Sequence, residues 1–206
     1  MLFFVLTEFV FAFDPSKPHK NQGILTPITN APKAVPLSSS DMSKLQKGEV
    51  VLQSVLDEKT QTGRGVAVQY IQATENRVWD TILNYPKYPS WVDNVVECNV
   101  YKQEPSIKYV EMISSVMWIK FGVYTKNYIY KDQNYMHWTL DYSRLSDADD
   151  LIGYWRVEQI QDSPPLTRVD YATDMKLSNV PDFLSSYLTK DALINGTKWV
   201  KREAEK

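Results

Sequence analysis

Few side chains in this sequence can do chemistry near neutral pH. Its 206 residues include two histidines, His19 and His137, and one cysteine, Cys98. A Ser-His-Asp triad or a histidine-rich metal site in the folded part would have to be built around His137 alone. A single cysteine excludes an internal disulfide and a cysteine-based zinc cluster. His137 lies between Met136 and Trp138 in an alternating run, on the polar face with Tyr135, Thr139 and Asp141. It reads as a surface strand residue, with general acid–base work as the alternative. Cys98 falls on an apolar face and reads as a small buried side chain. The carboxylates cluster twice. Asp147, Asp149 and Asp150 form a turn cluster that reads as solvated, and it lacks the glycine and distal glutamate of an EF-hand calcium loop. Asp170 and Asp174 share a polar strand face with Arg168 and Lys176, which predicts cross-strand ion pairs. No motif calls for a cofactor, a metal or a catalytic group.

Aromatic side chains are abundant instead: six Trp, 13 Tyr and seven Phe. They suit a core, a pocket wall or an interface. Met112, Val123, Trp138, Trp155 and Tyr171 stand on alternating apolar faces, and Phe183 and Tyr187 follow in a helical stretch. These are candidates to bind an apolar ligand, and plain core is the competing account for each. Ser114, Asn127 and Thr173 join them, with Thr125 and Tyr142, because a polar group on an apolar face needs a partner. A ligand, ordered water or a neighbouring strand can supply it.

The elements that must position these residues follow from periodicity. Asp41 can cap a short turn, Met42 to Lys47, that stops at Gly48. Glu49 to Leu56 and Val66 to Gln72 read as strands. Thr74 caps a helix whose apolar face is Val78, Trp79, Ile82 and Leu83, and Pro86 and Pro89 end it. After Trp91 the period shifts to two. Six runs follow, separated by short turn-like breaks, among them a face of Val96, Cys98 and Val100. Short breaks connect antiparallel neighbours, so the middle of the chain is a six-strand meander. From Pro181 the chain reads as helix to about Glu203, with Gly196 inside it. One long helix is available to cover a wide sheet with one apolar face. A twisted antiparallel sheet curling round that helix solves the problem, and a cavity between them is a natural by-product. The fold class is α+β.

Two amino-terminal stretches stand apart. The first 13 residues, MLFFVLTEFVFAF, are apolar except Thr7 and Glu8, and too few for a bilayer span of about 20 residues. Val10-Phe11-Ala12 fits a cleavage after Ala12, although no basic residue precedes the run. Export to a periplasm or the exterior is the expectation, with residues 1–12 as a signal remnant; a cytoplasmic location is the alternative. Residues 14–40 hold five prolines and the run Ser38-Ser39-Ser40, and read as an extended, disordered arm. The division is 1–12, a Pro-rich extension over 13–44, and a folded domain over 45–206. A formal charge of −2 provides no net positive field for nucleic acid.

Particular stretches carry a family resemblance. Ile71-Gln72-Ala73-Thr74-Glu75-Asn76-Arg77-Val78-Trp79-Asp80 resembles the strand-to-helix entry of the START-like (SRPBCC) superfamily. Leu83-Asn84-Tyr85-Pro86-Lys87-Tyr88-Pro89-Ser90-Trp91 resembles its next element, where Asp-Tyr often stands in place of Asn84-Tyr85. Val180-Pro181-Asp182-Phe183-Leu184 resembles the entry to its closing helix. The resemblance, of the polyketide-cyclase and coenzyme-Q-binding type, covers about residues 45–206. It implies a helix-grip fold and an apolar or amphipathic ligand such as a lipid, quinone or polyketide. Some members are cyclases or aromatases, and some act through proteins, including a bacterial group associated with ribosomes. Three functions therefore stay open: a non-catalytic carrier or sensor of a hydrophobic small molecule, a cyclase-type enzyme, and a protein-binding module using the Pro-rich arm.

Overall fold

The computed structural model describes residues 13–56, 63–116, 118–178 and 192–206. Its centre is an eight-stranded, fully antiparallel sheet in the order β1-β2-β8-β7-β6-β5-β4-β3. The strands are β1 Val51–Leu56, β2 Gly63–Ile71, β3 Val95–Glu104, β4 Ile107–Val116, β5 Ile119–Tyr130, β6 Tyr135–Leu140, β7 Asp150–Asp162 and β8 Pro165–Lys176. Strands β3 to β8 form the expected meander, each paired with its sequence neighbour. The β2–β8 pairing then adds the amino-terminal hairpin to one side.

Among the described residues four α-helices accompany the sheet: α1 Ser39–Gln46, α2 Glu75–Ile82, the single turn α3 Tyr88–Trp91, and the carboxy-terminal α4 Ala192–Ala204. Thr74 caps α2 by accepting a hydrogen bond from the Arg77 amide at 3.3 Å. Trp79 is fully buried, and its Nε1 donates to Glu75 Oε1 one turn earlier. Helix α4 packs across β2 and β8 and against α2. Its Trp199, Val200 and Ala204 join Ile71, Val78, Trp79, Ile82, Trp155 and Val169 in the main core. The result is a curved sheet gripping the final helix. The expected start of that helix, from Asp182, lies outside the described residues, as do Phe183 and Tyr187.

Three expectations need correction. Ser38, not Asp41, caps α1: Ser38 Oγ accepts from the Asp41 amide while Asp41 accepts from the Ser38 amide, a reciprocal capping box. A β-bulge between Val95 and Glu97 breaks the alternation of β3, so Val95 and Cys98 turn inward and Val96 is 43% exposed. The third concerns the arm, which is not disordered over residues 13–38. It crosses the outer face of the sheet, and the acidic side chains hold it there. Asp14 bridges Leu145, and His19 Nε2 bonds the Ala148 carbonyl at 2.8 Å. Buried Asp150 accepts from the Ile24 and Leu25 amides, both at 2.6 Å, and from the Tyr142 hydroxyl. Asp147, expected to be solvated, accepts from the Phe13 and Gly122 amides. Further along, Asp170 accepts from the Val35 amide while Arg168 donates to the Val35 carbonyl. These bonds seat Val35 and Leu45 in a second apolar cluster with Val66, Val68 and Tyr154.

Candidate functional site

A cavity of about 330 Å³ lies between the inner face of β3–β8, the Tyr85–Asp93 stretch and α4. That is the lower end of the range for small-molecule sites, about 300–1,000 Å³. Each strand contributes by alternation: Met112 and Ser114 from β4, Thr125 and Asn127 from β5, Trp138 from β6, Trp155 from β7, Tyr171 and Thr173 from β8. Eight described candidates thus converge on one space. Val123 does not: it is 2% exposed and belongs to the apolar core rather than the cavity wall.

One side of the cavity is aromatic. Tyr171 packs on Trp155 with ring centroids 4.3 Å apart and faces Trp138 at 6.0 Å. Two glycines make this possible. A β-carbon on Gly153 would strike the Trp138 indole and the Ala172 carbonyl, and one on Gly196 would strike the Tyr171 ring. Gly196 therefore serves close packing, one of the roles its helix-weakening position invites.

Above these rings the wall comes from a stretch the alternating pattern does not reach. Tyr85, Tyr88 and Trp91 recur every third residue through a 3-10 turn (Tyr85–Lys87) and α3, and so present one face. Tyr88 meets Trp199 edge-on at 4.8 Å, Trp91 stacks on Trp199 at 6.4 Å, and Arg202 donates to the Trp91 carbonyl. The i, i+3 spacing of these aromatics, and of Gly196, Trp199 and Arg202 on α4, is the sequence signal that finds them. Asp93, Asn195, Lys198 and Arg202 are exposed and form a polar rim.

Next to the rings, β4 and β5 carry polar groups in an apolar setting. Asn127 Nδ2 donates to the Lys108 carbonyl at 3.2 Å and to Thr125 Oγ1 at 2.9 Å. Thr125 donates in turn to the Val110 carbonyl. The Tyr85 hydroxyl is sealed within the wall with no hydrogen-bond partner among the described residues. Thr173 is spent on the Ile152 carbonyl, and Tyr142, which points away from the cavity, on Asp150. Neighbouring strands thus satisfy some of these groups and leave others open.

Burial sets the protonation of the wall. It pushes the Tyr171 hydroxyl and the Cys98 thiol each up to about 12, and raises Tyr85 and Tyr88 further. These groups stay protonated at neutral pH, so they donate hydrogen bonds rather than accept protons. Cys98 is 2% exposed, a small buried side chain as expected.

His137 lies on the other face of the sheet, as the alternation predicts, but it is not a surface residue. Its ring stacks on Tyr128 at 4.7 Å and within 6° of parallel, and Tyr130 and Tyr135 close round it. It is 9% exposed, and burial lowers its pKa.

No family model and no curated protein matches this chain. Solved structures do match. A STAR-related lipid transfer protein from Xanthomonas axonopodis aligns with a TM-score of 0.59 at 12% identity, over 76% of this chain and 94% of its own. Human StAR-related lipid transfer protein 5 gives 0.57 at 8% identity, over 76% and 82%. The Zhui aromatase/cyclase from Streptomyces sp. R1128 gives 0.54 at 12% identity, over 75% and 94%. Identities this low speak to architecture: the chain has the helix-grip fold of the START-like superfamily.

Proposed function

We propose that this protein binds an apolar or amphipathic small molecule in the cavity between sheet and α4, as a carrier or sensor. The observation behind the proposal is a volume lined by Trp138, Trp155, Tyr171 and Trp199, two of whose rings pack tightly against glycines. A close-packed interior has few voids larger than a water molecule, so a space of this size against aromatic walls calls for an occupant. Lipid transfer proteins and an aromatase/cyclase share the fold, which supports the same class of ligand.

Titration with N-phenyl-1-naphthylamine, an apolar dye that brightens out of water, tests the reading. Saturable binding at one site per chain is expected. Gly196→Leu should push the Tyr171 ring into the cavity and weaken the dye by at least about tenfold, roughly 1.4 kcal/mol. A wild-type protein that leaves the dye dark sinks the proposal.

A cyclase or aromatase activity is the second reading, supported by the polar Asn127 and Thr125 on the cavity wall. Acid–base work near neutral pH would then fall to a bound water or to Asp93 at the rim, the one carboxylate on the wall among the described residues.

A further inference from the structure

One polar atom on a residue of the cavity wall has no donor among the described residues, and its chemistry specifies what it awaits. Asn127 is 5% exposed, and its amide orientation is fixed by the fold. Nδ2 must face the Lys108 carbonyl and Thr125 Oγ1, because only the NH2 end can donate to the former. Both amide protons are then spent. Oδ1 remains, an acceptor with no donor among the described residues, on a residue of the cavity wall. The Tyr85 hydroxyl also lacks a partner among the described residues, but it is sealed inside the wall and not open to the cavity. Beside Asn127 stands its cross-strand partner Trp138, with Trp155 and Tyr171 beyond it on β7 and β8.

Resting on the reading of this cavity as a ligand site, we propose that its ligand is a compact ring compound bearing a hydroxyl group, with Asn127 Oδ1 as the acceptor that selects it. An acceptor demands a donor. A plain hydrocarbon would drive water from Oδ1 and strand it, and an ether or ketone would bring oxygen lone pairs against it. A hydroxyl satisfies Oδ1. The aromatic side holds the ring system, and a volume near 330 Å³ suits a small fused-ring molecule better than a two-chain lipid.

Three probes of nearly equal shape test this: 2-naphthol, 2-methoxynaphthalene and 2-methylnaphthalene, titrated at pH 7 by calorimetry. The wild type should bind 2-naphthol about tenfold more tightly than either analogue. Asn127→Leu should bring 2-naphthol down to the affinity of 2-methylnaphthalene and leave the latter within about twofold. Tyr85→Phe removes a hydroxyl sealed behind the wall and should leave the ranking of the three unchanged; loss of the 2-naphthol preference there would overturn the assignment to Asn127. Equal wild-type affinities for all three overturn the hydroxyl reading and leave the cavity a ligand site. Failure of all three to bind overturns both. Should Asn127→Leu not fold, the wild-type ranking decides.

Discussion

The inner and outer faces of the same eight strands are both rich in aromatic and polar side chains, yet they are finished differently. Outside, polar groups are mostly spent. Asp150 takes two arm amides and a tyrosine hydroxyl, Asp170 takes two arginines and the Val35 amide, and tyrosines stack against one another round His137. Inside, Asn127 Oδ1 has no donor among the described residues, and rings line a space rather than fill it. Buried polarity is thus structural where the chain completes it, and points to a ligand where an unmet group also borders open space. The acidic pairs look like chemistry in the sequence but belong to the outer face, where His137 Nδ1 and Arg156 Nη1 lack a hydrogen bond among the described residues yet border no cavity.

Removing an outer carboxylate should break this contrast most severely. Asp170 is fully buried between Arg168 and Arg156, and burial raises its pKa against the pull of both. Asp170→Ala leaves two guanidiniums and the Val35 amide short of a partner. A loss of about 3–5 kcal/mol is expected, read by urea denaturation. A loss under about 1 kcal/mol would mean the arm is not anchored there.

A smaller effect should come from His137. Its pKa is lowered in the folded state, so the unfolded chain takes up the proton first. Stability contributed by the neutral ring is whole above the ordinary value of about 6.5 and is lost as pH falls below it. His137→Phe keeps the stack and removes the titration. The denaturation midpoint of the variant should fall less between pH 7 and pH 5 than that of the wild type. Equal falls would place His137 in water.

Trp118 should matter least to stability. It is 93% exposed at the β4–β5 turn, with φ of +67°, a left-handed conformation that suits glycine. Trp118→Gly should change stability by no more than about 0.5 kcal/mol, checked by thermal denaturation. A loss above about 1 kcal/mol would reveal packing of that indole.

Much of this was legible in the sequence because alternation is a local signal. Met112, Ser114, Asn127, Trp138, Trp155, Tyr171 and Thr173 each sit at the inward phase of a strand, and all reach one cavity. Val96 broke the rule because a bulge shifts phase without changing residue types. The arm was misread because its order comes from Asp150, Asp147 and Asp170, more than 100 residues away, and short-range composition carries no trace of them. Val123 shares the phase of the wall residues but not the space, since phase fixes a face and not where along it the interior opens. Tyr85, Tyr88 and Trp199 were missed because their period is helical, in segments read only for where they start and stop.

At Gly196 the Tyr171 ring packs so closely on α4 that a β-carbon would overlap it. Contact that direct leaves no cushion. Pressure on Tyr171 would pass straight to the helix that carries Trp199 and Arg202, and Arg202 in turn grips the Trp91 carbonyl at the rim. The indoles of Trp91 and Trp199 are therefore placed to report, by their fluorescence, an occupant of the proposed kind.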